Sequence, residues 1–130
     1  MKPDINNRED IELLVNEFYR LVQRDALIGS IFNEIIHDKW PEHLSKMYSF
    51  WETVLLNHHT YNGAPFLPHA KLPLTQLHFD RWLQLFQQTL SEYFEGPKAN
   101  EAKERADKMA LMFLSKINYI KNNNQFKPLM

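Results

Sequence analysis

One irregular stretch decides how the rest of this chain can fold: residues 57–73, which read NHHTYNGAPFLPHAKLP. Three of the seven prolines in the sequence lie there, at Pro65, Pro68 and Pro73, and the pair Asn62-Gly63 favours a turn. Proline lacks a backbone donor and clashes with the preceding helical turn, so these residues do not form one long helix. Irregular stretches of this length are uncommon in compact domains and often carry function.

Helical patterns precede the stretch. A first helix is predicted from near Asn7 to about Arg24, because its apolar residues recur at helical spacing and Asn7 can cap it. A short helical segment is predicted over residues 31–36, and Trp40-Pro41 marks the start of another helix, since proline is tolerated in a first turn. The apolar faces of the first and third segments consist of Ile11, Leu14, Val15, Phe18, Tyr19, Leu21 and Val22, and of Leu44, Met47, Tyr48, Trp51, Val54 and Leu55.

Two further helices follow the stretch. One is predicted from about Gln76 to Phe94, and the last from about Lys98 to Lys121, where Asn122-Asn123-Asn124 is expected to stop it. No segment shows the alternation of a β-strand. The predicted fold class is therefore all-α, with a single domain over residues 1–130, a core from about residue 8 to residue 121, and a frayed C-terminal tail.

The composition excludes several function classes. The chain has 130 residues and a net charge of −1, without the excess of Lys and Arg that is typical of nucleic-acid binding. It contains no cysteine, which rules out disulfide scaffolds, thiolate metal sites and haem attachment through C-x-x-C-H. No stretch reaches the roughly 18 apolar residues of a membrane span. We therefore expect a cytoplasmic protein without a nucleic-acid or membrane partner.

The six histidines are the main candidates for chemistry. The pair Glu34-x-x-His37 occurs once, whereas a dimetal helical bundle needs two such pairs. His69 lies between prolines and His43 near the start of a helix, so the two could approach one flat ligand from opposite sides. Neutral imidazole is a common ligand of haem iron. Spacing alone leaves a second interpretation open, in which both histidines are hydrogen-bonding groups at the surface.

A set of short motifs in fixed order resembles one protein family. The motifs are Phe18-Tyr19, Asp25 followed by Ile31-Phe32-Asn33, Trp40-Pro41-Glu42-His43 followed by Phe50-Trp51, Tyr61-Asn62-Gly63-Ala64-Pro65, Pro68-His69-Ala70-Lys71-Leu72-Pro73, and Phe79-Asp80-Arg81-Trp82-Leu83. Each motif is weak alone, but their order and spacing resemble the truncated haemoglobins, most closely the group III branch. The resemblance covers nearly the whole chain, and it implies a shortened globin whose helices cross two on two around haem b.

The resemblance also implies which histidine binds the iron. His69 corresponds to the proximal ligand, and the proline-rich stretch before it corresponds to a globin helix reduced to about one turn. His78 is the rival candidate for this ligand, because it lies four residues before Trp82 and so on a similar helix face.

The same resemblance implies further site residues. The distal pocket, where polar groups stabilise the ligand on the iron, would consist of Tyr19, His43 and Trp82. Apolar contacts with the haem would come from Phe32, Met47 and Phe50. Partners for the haem propionates would come from Lys71, His78 and Arg81.

The implied function is binding of dioxygen and other diatomic ligands at haem iron. Tyr O–H, Trp N–H and His N–H groups can all donate hydrogen bonds to a bound ligand that carries negative charge. One use would be turnover of nitric oxide or peroxide with a reductase, as a nitric oxide dioxygenase- or peroxidase-like enzyme. Another would be binding, transport or sensing without turnover. The alternative from a different class is a haem-free helical interaction module.

Overall fold

The computed structural model describes residues 2–61 and 74–125, with side chains up to residue 122. Five α-helices lie in these two ranges: α1 (Arg8–Arg24), α2 (Gly29–Ile36), α3 (Trp40–Leu56), α4 (Gln76–Tyr93) and α5 (Pro97–Gln125). The two ranges contain no strand, and the predicted all-α class is confirmed. No helix in the described part of the chain combines the length and the apolar character needed to cross a bilayer.

Helix α1 begins at the cap that its sequence predicts. The side chain of Asn7 accepts a hydrogen bond from the backbone N–H of Asp10 at 2.9 Å, which satisfies one of the first N–H groups of the helix. Glu9 and Asp10 place negative charge at the positive end of the helix dipole. The buried face of α1 consists of Ile11, Leu14, Val15, Phe18, Tyr19 and Val22.

Helix α1 is also the centre of the packing. It contacts α2, α3 and α4, while α4 packs along α5. The pairs α1 with α3 and α4 with α5 thus form the expected two-on-two arrangement. Phe18 of α1 fixes the junction between the pairs, because its ring lies edge to face with Trp82 and Phe86 of α4 at centroid distances of 5.5 and 5.1 Å.

The apolar core has two parts. The larger cluster joins α1, α3, α4 and the first half of α5. The smaller cluster lies between α4 and α5 and consists of Leu74, Phe79, Ala110, Phe113, Leu114 and Ile117. Trp82, Leu83 and Met109 border both clusters and are only partly buried.

Glycine allows α2 to start directly against the end of α1. A Cβ at Gly29 would lie 2.9 Å from the carbonyl oxygens of Val22 and Gln23, too close for any other residue without a shift. Helix α2 therefore begins at Gly29, two residues before the predicted segment.

Helix α5 is longer than predicted. It continues past Lys121 through the three asparagines and ends at Gln125. Asparagine in a helix interior costs at most about 0.7 kcal/mol per residue relative to alanine, far less than proline. A short asparagine run therefore weakens a helix without ending it.

The N-terminal arm caps α5 from the far end of the sequence. The carboxylate of Asp4 accepts hydrogen bonds from the backbone N–H groups of Lys98 at 3.0 Å and Ala99 at 2.9 Å, in the first turn of α5. Gly96 makes room for it, since its φ is 139° and a Cβ there would lie 2.6 Å from Cγ of Asp4. Burial opposes ionisation of Asp4, but the backbone hydrogen bonds outweigh this effect and lower its pKa.

Replacing Asp4 should show the strength of this cap. We expect Asp4→Ala to lower the free energy of unfolding by about 1–2 kcal/mol at pH 7, because two N–H groups of α5 lose their acceptor. The folded pKa lies below the unfolded one, so the contribution is complete above the unfolded pKa and is lost as the pH falls through the folded pKa. Urea unfolding at pH 7 and at pH 3 measures both effects. Asp38→Ala, which removes an exposed carboxylate, is the control, and equal losses in the two variants would contradict the cap.

Candidate functional site

Tyr19 lies where three helices meet. It is buried on α1, and its ring centroid is 5.0 Å from that of His43, 5.7 Å from that of Trp40 and 6.3 Å from that of Phe32. Trp40 and His43 belong to the first turn of α3, and Phe32 belongs to α2. Two of the three predicted distal residues, Tyr19 and His43, are therefore in direct ring contact.

The hydroxyl of Tyr19 is a buried donor. Burial raises the pKa of Tyr19 well above its usual range, so the group stays protonated at any physiological pH. A protonated hydroxyl at this position can donate a hydrogen bond to an acceptor in the interior.

His43 is directed inward from α3. The residue is half-buried, and its Nε2 atom lies in the interior. Its imidazole stands almost perpendicular to the rings of Tyr19 and Trp40, at interplanar angles of 87° and 86°. The imidazole thus forms part of the same wall as the Tyr19 ring.

Trp82, the third predicted distal residue, lies one ring away from Tyr19. Its indole stacks on Phe86 at a centroid distance of 5.7 Å and an interplanar angle of 3°. The ring of Phe18 lies between Trp82 and Tyr19, at centroid distances of 5.5 Å from Trp82 and 4.9 Å from Tyr19. The indole is partly buried at the border of the two core clusters. Its N–H is a second donor, separated from Tyr19 by the ring of Phe18.

The predicted apolar contacts differ in burial. Phe32 and Met47 are partly buried against the larger cluster, whereas Phe50 is buried and packs edge to face on Trp51 and Tyr61, both at 5.3 Å. Phe32 and Met47 thus suit the wall of a pocket. The ring contacts of Phe50 are those of an ordinary core residue.

His69 and Lys71 lie outside the described residues, and their predicted roles stay predictions. The chain that leads toward them is anchored on α3. Thr53 Oγ1 accepts hydrogen bonds from the backbone N–H groups of Thr60 and Tyr61, both at 3.1 Å. The buried carboxylate of Glu52 accepts a further bond from Thr60 Oγ1 at 2.9 Å.

Glu52 is charged despite its burial because of its partners. Desolvation acts to raise its pKa, but the hydrogen bonds of Thr60 and His58 and the charge of Arg8 outweigh it and lower the pKa. Arg8 lies 3.1 Å from Oε1 of Glu52, and Nδ1 of His58 lies 3.6 Å from Oε2. This cluster ties the start of α1 to the segment that leaves α3.

His78 has a local partner at the start of α4. Its Nδ1 accepts a hydrogen bond from the backbone N–H of Thr75 at 3.0 Å and lies 3.0 Å from Thr75 Oγ1. These contacts form a capping box. Because Nδ1 accepts this hydrogen bond, a neutral imidazole would carry its proton on Nε2, which disfavours His78 as the rival iron ligand. Its predicted contact with a propionate stays a prediction.

Arg81, another predicted propionate partner, forms an ion pair. Its Nε donates to Oδ1 of Asp25 at 2.6 Å, and its Nη1 donates to Gln84 at 2.7 Å. Oδ2 of Asp25 also accepts from the backbone N–H groups of Leu27 and Ile28, both at 3.0 Å. The pair joins α4 to the corner between α1 and α2.

The described residues fit a flat apolar group with a polar ligand on one face. Partly buried apolar side chains lie on α2, α3, α4 and α5, and Tyr19 belongs to the larger of the two clusters that they border. Sequence reasoning used Trp40 as the start of a helix and as part of a family motif and gave it no role in the site, although its ring contacts both Tyr19 and His43. The available signal was its spacing of three residues from His43, which puts both on one helix face.

Comparisons with known proteins show the family to which the chain belongs. The family described as "Bacterial-like globin" matches residues 4–115. The group 3 truncated hemoglobin ctb of Campylobacter jejuni subsp. jejuni is similar over 117 residues at 36% identity, covering 87% of this chain and 92% of that protein. The crystal structure of group III truncated hemoglobin from Campylobacter jejuni matches with a TM-score of 0.82 at 35% identity, covering 90% of this chain and 95% of that one.

The ion pair of Arg81 can be tested by titration. Burial opposes ionisation of Asp25, but bonds from Ile28, Arg81 and Leu27 outweigh it and lower its pKa. We expect Arg81→Gln to raise the pKa of Asp25 and to lower the free energy of unfolding by about 1–3 kcal/mol, because a buried carboxylate loses a donor. Carboxyl NMR titration and urea unfolding measure the two effects. Arg20→Gln, which breaks an exposed pair with Glu17, should change stability little; the account fails if the two variants behave alike.

Proposed function

This chain belongs to the bacterial-like globin family and is a group III truncated haemoglobin, and from that premise we propose that it binds dioxygen and other diatomic ligands at the iron of haem b. Membership of a haem-binding family argues against the haem-free helical module. The observation that carries the proposal is the buried, protonated hydroxyl of Tyr19, whose ring packs against the rings of Phe32, Trp40 and His43.

We propose that His69 holds the haem and that the attachment is not covalent. The sequence contains no cysteine, so thioether links are excluded. A neutral imidazole is then the ligand of the right chemistry. Phe32, Met47 and Phe50 would exclude water from the macrocycle, and Lys71, His78 and Arg81 remain the proposed partners of the propionates. For Arg81 this would require a donor that the ion pair with Asp25 does not use.

Haem, when bound, supplies an iron centre at which a diatomic ligand gains partial negative charge. The role of Tyr19 is to donate its O–H to that ligand, and Trp82 and His43 supply further N–H donors. Hydrogen bonds in a site without water are electrostatically stronger than the same bonds in water. The donors therefore favour a polar ligand such as dioxygen over carbon monoxide.

A second candidate function is redox turnover. Three donors in one pocket can polarise an oxygen–oxygen bond, which supports nitric oxide dioxygenase- or peroxidase-like activity with a reductase as partner. Steady consumption of nitric oxide or peroxide with a reductant would favour this function, and stoichiometric binding alone would favour transport or sensing. In either case we propose a cytoplasmic location, as expected from a cysteine-free composition.

The assignment of the iron ligand can be tested by a pair of histidine variants. We expect His69→Ala to lose or greatly weaken haem binding, because the imidazole bond to iron is removed. The matched change, His78→Ala, should retain haem and lower the thermal midpoint slightly, since Thr75 loses its capping partner. Haem titration followed at the Soret band measures both. Loss of haem in His78→Ala with retention in His69→Ala would reverse the assignment.

The role of Tyr19 can be tested by removing one oxygen atom. We expect Tyr19→Phe to speed dioxygen dissociation by about 10- to 100-fold, because a hydrogen bond to a charged acceptor is lost. Stopped-flow displacement with carbon monoxide measures the rate. Tyr93→Phe is the control, since the hydroxyl of Tyr93 donates to Glu17 at 2.9 Å outside the pocket. An unchanged rate in Tyr19→Phe would mean that another donor dominates.

A further inference from the structure

Trp40 is the first residue of α3 and the point where that helix meets the pocket. Its indole lies edge to face with Tyr19 at 5.7 Å and with His43 at 5.8 Å. The ring centroids of Tyr19 and His43 are 5.0 Å apart, so each of the three rings contacts the other two. Removal of any one ring would therefore take one packing contact away from each of the other two.

The first turn of α3 depends on these contacts for its position. Its N-cap residue, Lys39, makes no side-chain hydrogen bond to the helix. Pro41 and Glu42 are exposed, whereas Trp40 and His43 are directed inward. Proline at the second position restricts the backbone, and its side chain is exposed. Ring packing therefore positions the start of α3, where α1 and α5 have side-chain caps from Asn7 and Asp4.

We propose that Trp40 is a positioning residue of the ligand pocket, which holds the imidazole of His43 against Tyr19 and so sets the rates at which diatomic ligands enter and leave. The inference deepens the proposed function and rests on it. Each edge-to-face ring pair changes the equilibrium constant between the packed and the displaced position of a ring by about a factor of 2 to 10. Loss of the Trp40 ring should remove one packing contact from the imidazole of His43 and one from the ring of Tyr19, so that both side chains become more mobile.

The test uses the haem-loaded protein with carbon monoxide bound. We expect Trp40→Leu to raise the association rate of carbon monoxide after flash photolysis by about 3- to 10-fold, as both ring contacts are lost. The C–O stretching band should shift or broaden, because the donors no longer hold one arrangement. Trp40→Phe should lie between Trp40→Leu and the unchanged protein, since it keeps a ring of smaller size.

Trp51→Phe is the matched control. Trp51 is a buried tryptophan of the same helix, but its ring contacts are with Phe50 and Phe86. We expect it to lower the thermal midpoint while leaving the association rate and the C–O band unchanged. Equal effects of Trp40→Leu and Trp51→Phe on the association rate of carbon monoxide would overturn the proposal, because a general loss of core packing would then explain both effects.

A spectroscopic readout keeps the inference separate from the function. In the protein with carbon monoxide bound, proton NMR should show NOE contacts between the indole of Trp40 and the imidazole of His43. Absence of these contacts, or a rate unchanged in both Trp40 variants, overturns the role of Trp40 while ligand binding stands. If Trp40→Leu does not fold, an unchanged rate in Trp40→Phe overturns it. Failure of the unchanged protein to bind carbon monoxide would instead overturn the proposed function.

Discussion

The neighbouring rings of Phe18 and Tyr19 hold the two helix pairs together. Successive residues on a helix are directed about 100° apart, so two adjacent side chains of one helix can contact two different neighbouring helices. Phe18 packs on Trp82 and Phe86 of α4, and Tyr19 packs on Phe32 of α2 and on the first turn of α3. The hydroxyl of Tyr19 therefore lies where the core is fixed, and the Tyr19 ring cannot move without disturbing the packing of α1 on α2 and α3.

Local patterns predicted most of the helices and few of the long-range contacts. The face of α1 and the cap at Asn7 follow from spacing and residue type, because both are properties of one short segment. The end of α5 was predicted four residues too early, since asparagine is a weak helix former and not a breaker. The cap of α5 by Asp4 has no local signal, because its two ends are more than ninety residues apart in sequence.

The site residues, too, were predicted only in part from local sequence patterns. Periodicity placed Tyr19 and Trp82 on buried faces, but only the family resemblance gave them a role. Arg81 and His78, chosen as polar residues near the expected haem, also serve the fold, through Asp25 and Thr75 respectively. Trp40 was overlooked because a tryptophan before proline indicates a helix start, whereas its ring contacts depend on how α3 approaches α1.

If a histidine-held haem b lies beside the hydroxyl of Tyr19, the absorption spectrum of the purified protein will show it. We predict a Soret band in the protein as expressed, or after addition of haem in equal amount, and a shift of that band when the reduced protein binds dioxygen. A protein that shows no Soret band in either condition, and no change with dioxygen, would contradict the account.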